Sequence, residues 1–470
     1  MGDDIMMDRN LGLKDRLTQT GLRQAIRLAS RNPKRNIPIL INIARQFASY
    51  GRYLEALNRL DDRIQRDPNV LRKAKLAVKN PKIVAKFVEN WALNSLFLTG
   101  PIRRQRVEQG KPCPTVVLLD PTSACNLNCD GCWAGEYEQS DRLNPKRFDA
   151  LLQEMKDIGI YWTIFSGGEP LLYPHLIDLM KKHNDMAFMA FTNGTLLDAN
   201  YADALEAAGN FSPVFSLEGG RHATDGRRGE GVFDRVIQAM DRCRDRGIPF
   251  GVSLTATRDN IDEIVSDDFV QFLDEKGCVY IWIFHYMPIG RDPDFELMLT
   301  PQQREDLAHR SSELRGQYPM LIIDFWNDGP LIDGCIAGGR VYLHINAAGD
   351  VEPCAFVHVA THNINEVSFE EALESPLLEA FRKHQPFSKN HYAPCPLIDN
   401  PETLRDIVKE SGAEGTHPGA EAILKGENAR QLDRIAKTWH AQSEALFQNQ
   451  PEDFWEPIRS PEVTKSNNDN

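Results

Sequence analysis

Three cysteines fall within eight positions of one another, in Cys125-Asn-Leu-Asn-Cys129-Asp-Gly-Cys132. This C-x3-C-x2-C spacing lets one loop present three soft thiolates to one metal centre, and such ligands suit iron–sulfur clusters and zinc. A four-iron cluster held by three protein thiolates keeps one iron open to another ligand. Structural zinc normally takes four protein ligands, and no fourth Cys or His lies in this loop. The spacing favours a cluster with an open coordination position.

Further ligand-type residues follow at the ends of short apolar runs. Ser166-Gly167-Gly168-Glu169-Pro170 follows one run, Thr192-Asn193-Gly194 the next, and Ser216-Leu217-Glu218-Gly219 a third. Glycines admit a close backbone approach to a ligand, and a carboxylate suits a cationic amine. Read singly, the glycine pair is a tight strand-to-helix turn and Glu218 a solvated carboxylate. Read together and in this order, the triad and these segments resemble the radical S-adenosylmethionine (SAM) superfamily.

The resemblance implies a 4Fe–4S cluster on Cys125, Cys129 and Cys132, with the open iron chelating the amino and carboxylate groups of SAM. It places Ser166, Gly167, Gly168, Glu169 and Pro170 in the family's GGEP motif, against the methionine amino group. It places Ser216 and Glu218 in the ribose-contacting segment, with Asn193 among the cofactor-binding residues. The implied activity is reductive cleavage of SAM to methionine and a 5′-deoxyadenosyl radical that abstracts a substrate hydrogen. An oxidation or bond-forming reaction on a peptide, small molecule or lipid would follow, with electrons from an external donor of the flavodoxin or ferredoxin type. A non-catalytic iron–sulfur electron carrier or binding module is the alternative, but it would have no use for a SAM-binding segment. The sequence names no catalytic side chain. One departure concerns the residue before the third cysteine, often aromatic or bulky in the family, where it contacts adenine. Here it is Gly131. Trp133 offers a ring nearby, and core packing accounts for Trp133 equally well.

A second cysteine group comprises Cys335, Cys354 and Cys395. The spacing C-x13-G-x4-C through Gly349 resembles the start of the SPASM or twitch extension behind many radical SAM cores. A hairpin turning at 347–350 would bring Cys335 toward Cys354. The resemblance implies an auxiliary iron–sulfur cluster with Cys395 as a third ligand. The fuller C-x2-C-x5-C run is absent, and Ile398 stands where a C-x2-C partner would be. The fourth ligand is left among His391, Asp399, His358, a scattered cysteine and substrate. Structural zinc on three cysteines and His391 is the rival reading.

The elements that must carry these residues show in the apolar pattern. Runs at 115–120, 162–166, 187–192, 214–217, 250–255 and 280–285 read as strands. Amphipathic stretches at 145–158, 174–183, 202–208 and 231–246 read as crossover helices. Alternation of this kind predicts an α/β fold with a parallel sheet covered by helices. Six such units predict a partial (β/α)6 TIM-like barrel, with a helical region before it and a small hairpin-containing cluster domain after it. The domain reading is a basic helical region at 1–112, a radical SAM core at 113–300, an auxiliary-cluster domain at 301–400, and a helical extension and tail at 401–470.

Charge divides the chain unevenly. Residues 1–112 hold 23 Lys and Arg against 10 Asp and Glu, while the whole chain carries a net charge of −13. The first reading packs the basic region against the acidic remainder. A second is peripheral membrane contact through residues 1–112, because 82–98 forms an amphipathic pattern with Phe87, Trp91 and Phe97 beside basic residues. No nucleic-acid module accompanies the charge, so no nucleic-acid partner is expected. No secretory signal or membrane-spanning run is read, and nine cysteines are few for a disulfide scaffold. The expected location is cytoplasmic, with the inner membrane face as the site of any peripheral contact.

Overall fold

The computed structural model describes residues 80–449. The helices expected before residue 80 and the tail expected at 461–470 lie outside the described residues. Seven strands run parallel in chain order: β1 Val116–Leu119, β2 Trp162–Phe165, β3 Ala187–Thr192, β4 Phe211–Leu217, β5 Gly251–Ala256, β6 Tyr280–His285 and β7 Leu321–Asp324. Alternate residues serve the two faces of the sheet. Val117 and Leu119 of β1 join the outer core under the helices, while Val116 and Leu118 join the inner one. Burial on both faces is why these strands are written as continuous apolar runs.

The covering helices begin where the sequence signals them. Asn144 caps Pro145–Asp157 by accepting from the backbone N–H groups of Lys146 and Arg147. That helix buries Phe148, Leu151, Leu152 and Met155. Val232–Arg246 buries Val236, Ala239, Met240 and Cys243, and ends on Gly247 at φ 69°.

Two features extend the six-unit expectation. The helix Pro301–Gln317, closed by a Thr300–Gln303 capping box, returns the run at 321 to the edge of β6, adding β7. The hairpin strands β8 Tyr342–Ile345 and β9 Val351–Glu352 are not a separate sheet: β8 pairs in parallel with β1, giving a nine-stranded sheet. Its second strand ends at Glu352, and Pro353 follows.

The stretch expected as one helix over 82–98 is an α-helix, Pro81–Val88, continued by a wider π-helical segment, Glu89–Leu98. Asn90 Nδ2 donates to the carbonyls of Asn184 and Met186 at 2.8 and 2.7 Å, and Asn94 Nδ2 to that of Asp185 at 2.8 Å. Trp91 meets the edge of Trp162, and Phe87 packs on the inner core. These two aromatics are used in packing on the barrel. Arg106 and Lys111 pair with Glu370 at 3.1 and 2.7 Å, so part of the basic region does face the acidic remainder. Among the described residues, no helix is long and apolar enough to cross a membrane.

Candidate active site

The loop after β1 carries Cys125, Cys129 and Cys132, all half-buried. The three line one cavity of about 280 Å³ with Ser166, Gly167, Gly168, Glu169, Asn193 and Ser216. The sequence-expected residues thus converge from the ends of β1 to β4, where a parallel barrel gathers its ligand groups. Pro170 and Glu218 do not line the cavity. Pro170 is buried at the start of a short helical turn.

Close backbone contact explains the glycine pair. Gly168 N–H donates to the Thr122 carbonyl at 3.1 Å, and Glu169 N–H to that of Ala124 at 2.8 Å. A Cβ on Gly168 would lie 2.2 Å from the Ala124 carbonyl oxygen and 2.3 Å from that of Ser123. Any other residue would push the cysteine loop outward. Glu169 is 1% exposed and accepts from Thr192 Oγ1, Asn193 N and Leu171 N at 2.7, 2.8 and 3.0 Å. Burial pushes its carboxyl upward against those donors. Asn193 Nδ2 donates to Asn126 Oδ1 at 2.9 Å, tying the β3 end to the cysteine loop. Ser216 Oγ lies 3.3 Å from Ser253 Oγ.

Glu218 has a different setting from the one the resemblance implies. Its Oε1 accepts from Arg227 and Arg228 at 2.8 and 2.7 Å, while its buried Oε2 has no hydrogen-bond partner. Both arginines line the cavity, and sequence reasoning missed them. Arg227 also donates to the carbonyls of Asp130 and Gly131, clasping the cysteine loop. Burial raises the Cys129 thiol while the Arg228 guanidinium opposes it; burial lifts Cys125 to about 11. Ligation therefore requires these protons to leave.

The departure at Gly131 has a structural cause. It sits at φ 59°, and a Cβ there would lie 2.7 Å from a Tyr286 ring carbon. Tyr286, just beyond β6 and lining the cavity, occupies the space a side chain at 131 would need. Trp133 also lines the cavity, while its ring packs against Tyr137, His344 and Phe356.

Behind Ser166 lies a buried polar chain that the sequence did not disclose. Ser166 Oγ donates to Asp120 Oδ1 at 2.6 Å, and Asp120 Oδ2 lies 3.0 Å from His344 Nε2. His344 Nδ1 is 2.6 Å from Glu352 Oε2, and Glu352 accepts from Tyr137 and Thr416. Burial works against a charged imidazole, but the two carboxylates outweigh it and raise His344 to about 10.

Cys335, Cys354 and Cys395 line a second, smaller cavity of about 40 Å³. Burial raises the thiols of Cys335 and Cys354 to about 11 and about 12. Gly349 turns the hairpin at φ 98°, as its spacing predicts. None of the named fourth-ligand candidates lines this cavity. Asp399 is committed to Arg304 at 2.6 and 3.1 Å, His391 faces Asp333, and His358 contacts His417 at 2.7 Å. Cys243 and Cys278 are buried elsewhere, and the Cys113 thiol donates to the Ile158 carbonyl.

Among the described residues, no three His, Cys, Asp or Glu side chains are close enough to hold a single metal ion. An iron–sulfur cluster spreads its thiolate ligands over separate irons, so wide spacing is what it requires. Three cysteines on each of two cavities, the first beside the glycine cradle, are a fitting donor set.

Fold and site together define an α/β partial barrel with two cysteine-lined cavities. Comparison gives the domains. Residues 119–269 match the profile of the radical SAM superfamily, and residues 335–396 match an iron–sulfur cluster-binding domain, SPASM. Residues 119–269 thus form a radical SAM domain and residues 335–396 a SPASM domain, which together imply a 4Fe–4S cluster, SAM and an auxiliary cluster. It is 26% identical over 300 residues to an AdoMet-dependent heme synthase of Methanosarcina barkeri, covering 57% of this chain and 84% of the relative. It is also 26% identical over 285 residues to a PqqA peptide cyclase of Gluconobacter oxydans, covering 57% and 79%. The fold resembles Streptococcus suis SuiB bound to S-adenosylmethionine, with a TM-score of 0.52 and 16% identity, covering 74% of this chain and 82% of that one.

Proposed function

We propose that this enzyme cleaves SAM reductively and removes a hydrogen atom from a substrate held inside the barrel, for an oxidation or bond-forming reaction. Cys125, Cys129 and Cys132 would hold the 4Fe–4S cluster, and Cys335, Cys354 and Cys395 the auxiliary one. When bound and reduced, the first cluster supplies the electron that splits SAM into methionine and a 5′-deoxyadenosyl radical.

The chain's own residues position the cofactor. Gly167 and Gly168 let the backbone approach, Glu169 presents a buried carboxylate to the methionine amino group, and Arg228 offers its guanidinium to the carboxylate. Asn193 and Ser216 line the same side, and Tyr286 supplies the adenine-facing ring that Gly131 lacks. Glu218 acts through the arginines it neutralises. An external flavodoxin- or ferredoxin-type protein would supply electrons.

One observation carries the reading. The cavity touching the triad shares Phe325, Ile336, Tyr342 and Phe356 with the cavity of the second cysteine group. A substrate beside those residues would lie between the two centres, one side-chain layer from the auxiliary site. Tyr342 OH donates to Cys354 Sγ at 2.8 Å and bridges that layer.

The test is anaerobic reconstitution with SAM and dithionite, followed by chromatography for 5′-deoxyadenosine. Wild type should form it and Cys125→Ala should not. A fully loaded wild-type enzyme that leaves SAM intact would end the proposal.

A further inference from the structure

The interior of the cavity carries information about the substrate that neither the triad nor the relatives contain. Its inward positions are Trp162 on β2, Phe191 on β3, Trp282 and Phe284 on β6, and Phe325 and Phe356 beyond. These rings pack on one another: Phe191 with Phe284 at 5.5 Å, Trp282 with Phe284 at 5.8 Å, and Phe284 with Phe325 at 5.2 Å. Val116, Leu118 and Ile164 complete the wall.

Charge is confined to one end. Among the described residues, Lys, Arg, Asp and Glu are represented in the lining only by Glu169, Arg227 and Arg228, all beside the triad and all partnered. His285, at the end of β6, lies 3.4 Å from Asp324 and is stacked on Trp326. Burial lowers its imidazole below the ordinary range, so it is neutral near pH 7. Ser253, level with Ser216, and Thr255, one position from the same end of β5, offer hydroxyls near the triad, and Tyr342, level with Val116, offers one at the far end.

A peptide would bring amide groups that find few partners here, and each unpaired one is costly. A macrocycle bearing carboxylates would need cations that this wall lacks. An apolar chain needs neither, and gains from every ring it covers.

The cavity is also long in the strand direction. Val116 and Trp162 are the first residues of β1 and β2, whereas Ser166 and Cys125 lie past their other ends. Four strand residues span about 10 Å. The far end abuts Trp162, which touches Trp91 of the amino-terminal region. That region, residues 1–112, has 23 Lys and Arg against 10 Asp and Glu, a composition suited to anionic headgroups.

We propose that the substrate enters the barrel as the hydrocarbon chain of a lipid, and that the bond broken is a C–H bond of that chain. This rests on the SAM cleavage proposed above. One electron from the external donor breaks the C5′–S bond of SAM and methionine leaves. The chain's hydrogen atom passes to C5′, giving 5′-deoxyadenosine and leaving one unpaired electron on the chain carbon.

Two measurements on the full-length protein test it separately. In the first, reconstituted enzyme, SAM and dithionite meet phosphatidylglycerol vesicles with perdeuterated acyl chains or, in a parallel arm, vesicles of lipids with deuterated isoprenoid chains. Mass spectrometry should find 5′-deoxyadenosine one deuterium heavier in one arm, which identifies the chain type. In the second, without SAM or reductant, dibrominated stearate should quench tryptophan fluorescence, and Trp162→Phe and Trp282→Phe should each reduce the quenching. 5′-Deoxyadenosine without deuterium in either arm, together with no quenching, overturns the lipid assignment. Quenching without any 5′-deoxyadenosine keeps the chain-binding cavity and sinks the SAM-cleavage reading instead.

Discussion

His344 is the buried charge on which the join between barrel and cluster domain rests, and His344→Gln tests it. The imidazolium lies between Asp120 at 3.0 Å and Glu352 at 2.6 Å, all but sealed from solvent. Raising a histidine from 6.5 to about 10 corresponds to about 4 kcal/mol of folded-state preference at pH 7. Removing one partner from a buried ion pair costs a similar 3–5 kcal/mol. The folded value lies above the unfolded one, so the contribution is complete below about 6.5 and is lost as pH rises toward 10. Urea unfolding should therefore show the variant about 3–4 kcal/mol less stable at pH 7, with the gap closing to roughly 1 kcal/mol at pH 9. The other groups facing His344's partners are Ser166, Tyr137, Asn346 and Thr416, and all remain in the variant. A gap that stays constant from pH 7 to 9, or one below about 1 kcal/mol throughout, would refute a charged His344.

Three further outcomes follow from the geometry. Gly168→Ala forces a Cβ onto two backbone oxygens and should cost about 3 kcal/mol or more, with iron content at the triad falling in elemental analysis. Gly131→Ala should cost roughly 1–3 kcal/mol, and adding Tyr286→Ala should recover part of that loss. Simple additivity in that double-mutant cycle would contradict the Tyr286 contact. Cys354→Ala should lower iron content yet preserve SAM cleavage without substrate, because the triad lies on the other cavity; loss of both would show that the two sites assemble as one.

Local features of the fold were legible because their causes are local. Runs at 187–192 and 280–285 became β3 and β6 unchanged, since strands buried on both faces must be apolar throughout. Asn144, Thr300 and Gly247 mark helix ends through side-chain or backbone chemistry within a few residues. Pairings across long separations were not legible. Nothing near Tyr342 says that its strand lies beside β1, and nothing near Gly131 names Tyr286 as the ring filling its space. Asp120, His344 and Glu352 look like surface residues until three segments meet around them. Arg227 and Arg228 follow the Ser216 segment closely and could have been noticed as a basic pair near a ligand motif. The triad and the glycine cradle were visible because one loop or turn supplies each; the apolar depth of the cavity needed the barrel.

The parallel pairing of β8 with β1 bears on how such enzymes diversify. A cluster domain hung on a linker could be exchanged between cores as a cassette. Here, cutting the chain after residue 300 would strip the barrel of β7 and bare the hydrogen-bonding edge of the strand that leads into the cysteine triad. An uncovered edge of that kind invites pairing with other chains. Changing the second metal site by domain exchange therefore means redesigning an inner wall of the first, so inheritance of the two centres is coupled through a single strand.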